Sequence, residues 1–201
     1  ANGALVDRYD KRFCSGDRAQ NVGDLAHYSP GDHGSVFKVA GVLCATLICY
    51  EYRFPELYRE YKRQGVELVF HSYHAGHIGP RRLAMMRKMV GHDAPKRNPG
   101  STLPEITMPA AMHVAAANNY VWISCSNTSA RESCWPSFFV RPDGVATGKL
   151  RRNVAGVLIS NVNPREKYYD STAAWRERAM RGVFHSGKLL RDRRSDDRTR
   201  L

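Results

Sequence analysis

Cys49 is the residue best placed for nucleophilic chemistry, because it closes an apolar run and is followed by a short polar turn and a helix. The run 42–48 is rich in β-branched and apolar side chains and reads as a buried strand, while Pro55 suits the first position of a helix. Phe54, Leu57, Tyr58 and Tyr61 recur at helical spacing, Glu56 and Glu60 favour the early turns, and Gly65 is a stop signal. A thiol at such a strand-to-helix junction can be presented at the carboxyl end of a sheet, with the Tyr50 N–H free to face a developing oxyanion. The competing reading is a core cysteine. Cysteine is among the most buried residue types, and strand position alone favours that reading.

The other reactive residue types form weaker patterns. Cysteines at 14, 44, 49, 125 and 134 make no CxxC pair and no zinc spacing, and their odd number leaves at least one thiol unpaired within the chain. They read as reduced, so the expected compartment is intracellular, the cytoplasm. His71, His74 and His77 are loosely spaced and lack a carboxylate cluster, which makes polar lining near a pocket the better reading and a metal site the worse one.

A chain of 201 residues fits one domain with a sizeable core, or a domain with a tail, and a hydrophobic fraction of 42% excludes a chain disordered throughout. No apolar stretch approaches the roughly 18 residues that cross a bilayer, and residues 1–7 lack the long apolar segment of a signal peptide. The net charge of +12 raises nucleic acid as a partner. Much of that charge sits in Arg81, Arg82, Arg87, Lys88, Lys96 and Arg97, and in residues 176–200, where arginines alternate with Glu177, Asp192, Asp196 and Asp197. Aromatic interleaving is weak and no nucleic-acid motif is present, so a solvated or subunit-facing basic surface is the expectation.

The elements that must position Cys49 follow from local patterns. Residues 4–11 alternate loosely and predict a strand ending near Lys11, with Asn2-Gly3 as the turn of a hairpin whose first strand is not in this sequence. Residues 15–32 read as a long loop, and 35–40 with 42–48 as a hairpin around Gly41. A further strand over 66–72 makes strand, helix and strand alternate across Cys49, which predicts an α/β layer architecture with part of its sheet parallel. Residues 73–101 are irregular apart from a short helix over 82–90, and read either as a lid or as a surface excursion. Beyond them the sequence predicts a helix over 104–118, a strand over 120–125, a hairpin about Arg141-Pro142-Asp143-Gly144, a last strand over 155–162 and a last helix over 170–181.

Taken together, Arg8-Tyr9-Asp10-Lys11, Asp24 with Ser29-Pro30-Gly31, Cys49-Tyr50-Glu51-Tyr52-Arg53-Phe54-Pro55-Glu56, Gly65-Val66-Glu67-Leu68-Val69, Ala116-Ala117-Asn118-Asn119-Tyr120-Val121 and Pro142-Asp143-Gly144 resemble the nitrilase, or carbon–nitrogen hydrolase, superfamily over residues 2–181. The resemblance implies an α-β-β-α sandwich and hydrolysis of non-peptide C–N bonds in small amides, carbamoyl compounds or nitriles, amides foremost, without metal or organic cofactor. It assigns Cys49 as nucleophile, Lys11 as its lysine partner and Lys11 with the Tyr50 N–H as the oxyanion hole. Asp24 matches a supporting carboxylate that is Glu in many relatives. Glu51 matches an acidic position that either orients the turn or is structural. Arg53 matches a position where some relatives bind a substrate carboxylate, and a salt bridge to Glu56 or Glu60 is its alternative. Apart from the resemblance, Cys125 and Cys134 read as core or near-pocket residues, with Cys134-Trp135 a candidate contribution to the substrate wall.

The general-base glutamate of relatives lies well upstream of the lysine, where this chain has only Asp7 and Asp10. A missing amino-terminal portion would explain both the absent base and the absent hairpin strand; a catalytically inactive binding protein is the alternative. On the first reading the chain is expected to be poorly active alone. The resemblance also implies a homo-oligomer, dimer or larger. Residues 1–181 form the expected hydrolase domain and 182–201 a basic tail for subunit contact, or else a disordered one.

Overall fold

The computed structural model describes residues 3–187. A small ribbon of β1 (Gly16–Asp17) and β2 (Val22–Gly23) precedes the main sheet. The sheet begins with β3 (Val36–Val39) and β4 (Val42–Ile48), antiparallel about Ala40 and Gly41. Both turn residues have positive φ, 49° and 88°, as the tight two-residue turn that matches strand twist requires. A 3-10 turn, Cys49–Arg53, leads into α1 (Pro55–Arg63), whose first residue is the proline that the sequence places there.

β5 (Leu68–Ser72) then returns parallel to β4. After α2 (Pro80–Val90), α3 (Ala94–Arg97) and α4 (Leu103–Asn119), β6 (Trp122–Ser126) pairs parallel with β5. β7 (Phe138–Val140) and β8 (Ala146–Lys149) complete the order β3-β4-β5-β6-β7-β8 with antiparallel joints. A short α5 (Arg176–Met180) follows.

Period-two alternation sorts side chains between the two faces of the sheet. Ala45, Leu47, Val69, Ile123 and Val140 meet Tyr58 and Tyr61 of α1 and Met108, Met112 and Ala116 of α4, all buried. Cys44, Leu68, Trp122 and Phe139 point the other way, where Leu158, Val162 and Tyr168 cover them. The α/β architecture expected from the sequence is therefore present. Among the described residues it comprises one helical layer on one open six-stranded sheet.

Three expected elements differ. Residues 4–11 form no strand among the described residues, and Leu5 and Val6 stand exposed. Their alternation finds no neighbouring strand among the described residues, and the segment is held instead by contacts such as Asp7 to His33, Tyr9 to Glu51 and the Gly31 N–H to the Lys11 carbonyl. Residues 155–162 are also irregular: Leu158 and Val162 lie on the face of the sheet while Val157 and Ile159 point outward, so the alternation reflects packing rather than an added strand. The last helix shrinks to α5 because Asp170 accepts from the Thr172 N–H (3.1 Å), an Asp-centred turn that competes with helix over 170–175. The Asn2 half of the expected hairpin turn and most of the tail lie outside the described residues.

Candidate active site

β4 runs as a buried strand as far as Ile48, and the chain reverses at Cys49, whose φ is 49°. A non-glycine residue with positive φ carries strain that its surroundings must sustain. Two buried groups sustain it here. One is the Glu51 carboxylate, fully buried, which accepts from the Ile48 N–H (2.7 Å) just before Cys49. The other is His71 on β5, also fully buried, whose Nε2 lies 3.2 Å from the Cys49 carbonyl oxygen.

The His71 geometry fixes its tautomer. A carbonyl only accepts, so Nε2 carries the proton, and Nδ1 must accept from the Tyr58 hydroxyl at 2.6 Å. Burial lowers the His71 pKa to about 3, with the Cys49 carbonyl opposing and the Lys11 charge assisting, so the imidazole is neutral at physiological pH. His71 was expected to line the pocket. It lies instead beneath the turn, because it is in phase with Val69 on the helix-facing side of β5.

Glu51 also reaches across the chain. Its carboxylate accepts from the Tyr9 hydroxyl (2.7 Å), the Arg12 N–H (2.7 Å) and the Phe13 N–H (3.3 Å). These three residues flank Lys11. One carboxylate thus ties the Cys49 turn to the Lys11 segment, and its burial is tolerable because its oxygens are satisfied. Arg12 secures the segment further, with Nη1 2.7 Å from Glu60 Oε2 and its guanidinium over the Tyr61 ring.

Lys11 is only 12% exposed at its side chain, and its ammonium donates to Asp24 Oδ2. The same oxygen accepts from the Ser15 N–H and hydroxyl, both at 2.9 Å. Aspartate therefore reaches Lys11 despite being one methylene shorter than glutamate. Burial pushes the Asp24 carboxyl up, but the hydrogen bonds from Lys11 and Ser15 outweigh it and the net shift is downward from 3.8. A lowered folded pKa gives stability that is present above pH 3.8 and lost as pH falls through the folded value. Asp24→Asn should accordingly be less stable than wild type at neutral pH, with the two unfolding free energies converging as the carboxylate is titrated below pH 3.8. Urea unfolding over that acid range checks this.

Lys11, Asp24 and Cys49 line one cleft of about 1240 Å³, together with Cys14, Tyr73 and His74. As an opening amide of the 3-10 turn, the Tyr50 N–H has no acceptor within that turn. The other expected residues lie elsewhere. Arg53 stacks on Tyr52 (4.9 Å) and Tyr50 (5.6 Å) and lines a separate groove between α1 and α4, away from Cys49 and from any salt bridge to Glu56 or Glu60 among the described residues. Cys134 and Trp135 are buried and line a third cleft, although Trp135 supports the Cys49 cleft from behind through an edge contact with Tyr73 (5.4 Å).

Sequence reasoning missed Tyr9, Tyr58 and Cys14. Tyr9 stands two residues before Lys11 and lines the same cleft, with its hydroxyl on Glu51. Cys14, whose Sγ is 3.6 Å from the Lys11 carbonyl oxygen, has a thiol pKa raised chiefly by burial. Among the described residues no group of three His, Cys, Asp or Glu side chains is gathered as a metal site, and no helix is long and apolar enough to cross a membrane.

Known proteins share this architecture. An amidase from Nesterenkonia sp. is 20% identical with a TM-score of 0.50, over 72% of this chain and 45% of that one. Saccharomyces cerevisiae Nit3, a member of branch 10 of the nitrilase superfamily, is 16% identical with a TM-score of 0.53, over 75% and 46%. A double mutant of the Nesterenkonia sp. AN1 amidase in complex with acrylamide gives 19% and 0.50, over 72% and 45%. At such identities the likeness is one of fold, and the chain spans less than half the length of these structures. No curated protein matches the sequence. The carbon-nitrogen hydrolase family model matches residues 1–168, most of the chain and all of the cleft just described, and the chain belongs to that family.

Proposed function

We propose that the Cys49 cleft hydrolyses a small amide through a cysteine thioester and releases ammonia, with carbamoyl compounds and nitriles as related substrates. The observation that carries this reading is that Cys49, on its strained turn, and Lys11, held by Asp24, line the same cleft. Cys49 attacks the carbonyl carbon as its thiolate. The C=O π electrons move onto oxygen, where the Lys11 ammonium and the Tyr50 N–H stabilise them. Collapse expels the amine, which takes a proton, and water then cleaves the thioester to return the thiol and a carboxylic acid.

The scheme needs a carboxylate to take the thiol proton and later activate water. Family resemblance places a glutamate in that role upstream of the lysine, where residues 1–10 offer only Asp7 and Asp10. The second reading is a nitrilase-like binding protein without turnover. Homo-oligomerisation and a cytoplasmic location belong to the first reading, and the five free cysteines are in keeping with a reducing compartment.

Ammonia release from a panel of amides, carbamoyl amino acids and nitriles tests it, using this chain and a form extended upstream in the open reading frame. Cys49→Ala should abolish turnover, and Lys11→Ala should reduce kcat by about 10²–10³, the usual consequence of losing an oxyanion donor. Absence of both turnover and a trapped thioester in every form would leave the binding-protein reading.

A further inference from the structure

The basic residues that the Cys49 chemistry does not use are brought together by the fold. Arg87 comes from α2, Lys149 from the end of β8, and Arg151 and Arg152 from the residues just after it, yet all four line one cleft of about 730 Å³. This cleft shares no lining residue with the Cys49 cleft. Its only acidic lining residue is Glu105, and that carboxylate is already engaged. Oε2 accepts from the Ser101 N–H (2.7 Å) and hydroxyl (3.0 Å), while Oε1 pairs with Arg152 Nη1 at 3.0 Å.

Arg152 is therefore neutralised, and Arg87, Lys149 and Arg151 make no ion pair among the described residues. Three unpaired cations on one concave surface repel one another unless an anion joins them. A second observation is the indole of Trp135, which lines the same cleft. It is only 4% exposed, and its buried Nε1–H has no acceptor among the described residues. That nitrogen is itself shut off from solvent, so it meets an occupant of the cleft only after a local side-chain shift, and the basic side chains supply the contacts. Pro95, Pro99, Pro109, Pro136 and Leu150 supply apolar walls.

We infer that this cleft binds a small organic oxyanion, a compact molecule carrying two or more phosphate or carboxylate charges. The volume is that of a small-molecule pocket, and arginine forks suit both groups. Nucleic acid fits less well, because the aromatic side chain at this site is buried and cannot stack on a base.

Isothermal titration of the chain with pyrophosphate and with citrate, each against sodium chloride of matched ionic strength, tests this. The expected result is saturable one-site binding of at least one of the two anions, and their ratio separates phosphate from carboxylate recognition. Arg87→Gln/Arg151→Gln should weaken it at least tenfold. Lys38→Gln/Lys167→Gln removes the same charge from exposed positions outside the cleft and should leave it within about twofold. Circular dichroism of each variant confirms folding before titration. Heats that follow ionic strength whatever the anion, or equal binding by both double variants, would overturn the inference.

Discussion

Glu51→Ala should destabilise the protein by about 3–5 kcal/mol, the scale for removing one partner from a buried charged network. The carboxylate is fully buried and accepts from the Ile48, Arg12 and Phe13 N–H groups and the Tyr9 hydroxyl. Truncation would leave these donors facing a small cavity, each unsatisfied group costing about 1–3 kcal/mol unless water enters. Glu51→Gln is not a mild control. N–H groups point at both carboxylate oxygens, so either amide orientation sets an NH₂ against a donor. Both variants should lower the urea midpoint. In the folded fraction, iodoacetamide labelling of Cys49 should also lose its wild-type rate, because the turn and the Lys11 segment would no longer be tied together. An unfolding free energy within about 1 kcal/mol of wild type for Glu51→Ala would show that the carboxylate is not the tie the distances describe.

His71 should give the protein a distinct acid sensitivity. Its folded pKa, about 3, lies below the ordinary 6.5, so its contribution is fully present above pH 6.5 and is lost as pH falls from there toward 3. In that window the unfolded imidazole gains a proton that the folded one refuses, and stability falls by up to about 1.4 kcal/mol per pH unit. Carboxylates titrate over part of the same range, so the informative quantity is the difference between wild type and His71→Gln. A glutamine amide can still donate to the Cys49 carbonyl but does not ionise, and its stability curve should be flatter between pH 6.5 and 3. Parallel curves would mean that the folded imidazole takes up its proton as readily as the unfolded one.

Much of the fold could be read from local sequence, because its elements are punctuated by residues with one conformational use. Gly41, Pro55 and Gly65 mark the β3–β4 turn, the start of α1 and its end, and the structure uses each of them so. The place of Cys49 at the end of β4 was legible for the same reason. Lys11 and Asp24 were legible only through family resemblance, since nothing in local periodicity tells a loop lysine to turn inward. Arg53 lines the α1–α4 groove and not the Cys49 cleft because, at about 120° per residue in a 3-10 helix, it stands a third of a turn away from Cys49. The role of His71 needed tertiary information of another kind. The sequence shows a histidine at the end of an apolar run, and only the helices packed above β5 show that this face is dry.

The order of the strands also sets an order in time. Antiparallel joints lie outside and the two parallel joints at the centre, so the hairpins β3–β4 and β7–β8 close short loops while β4–β5 and β5–β6 wait for crossovers. The strand that ends at Cys49 can therefore form early, as one arm of a local hairpin. The turn itself cannot be finished until β5 delivers His71 and the segment around Lys11 meets Glu51. Completion of the Cys49 turn is thus a late event, and a nascent chain would carry that thiol outside its final surroundings until the rest of the sheet has formed.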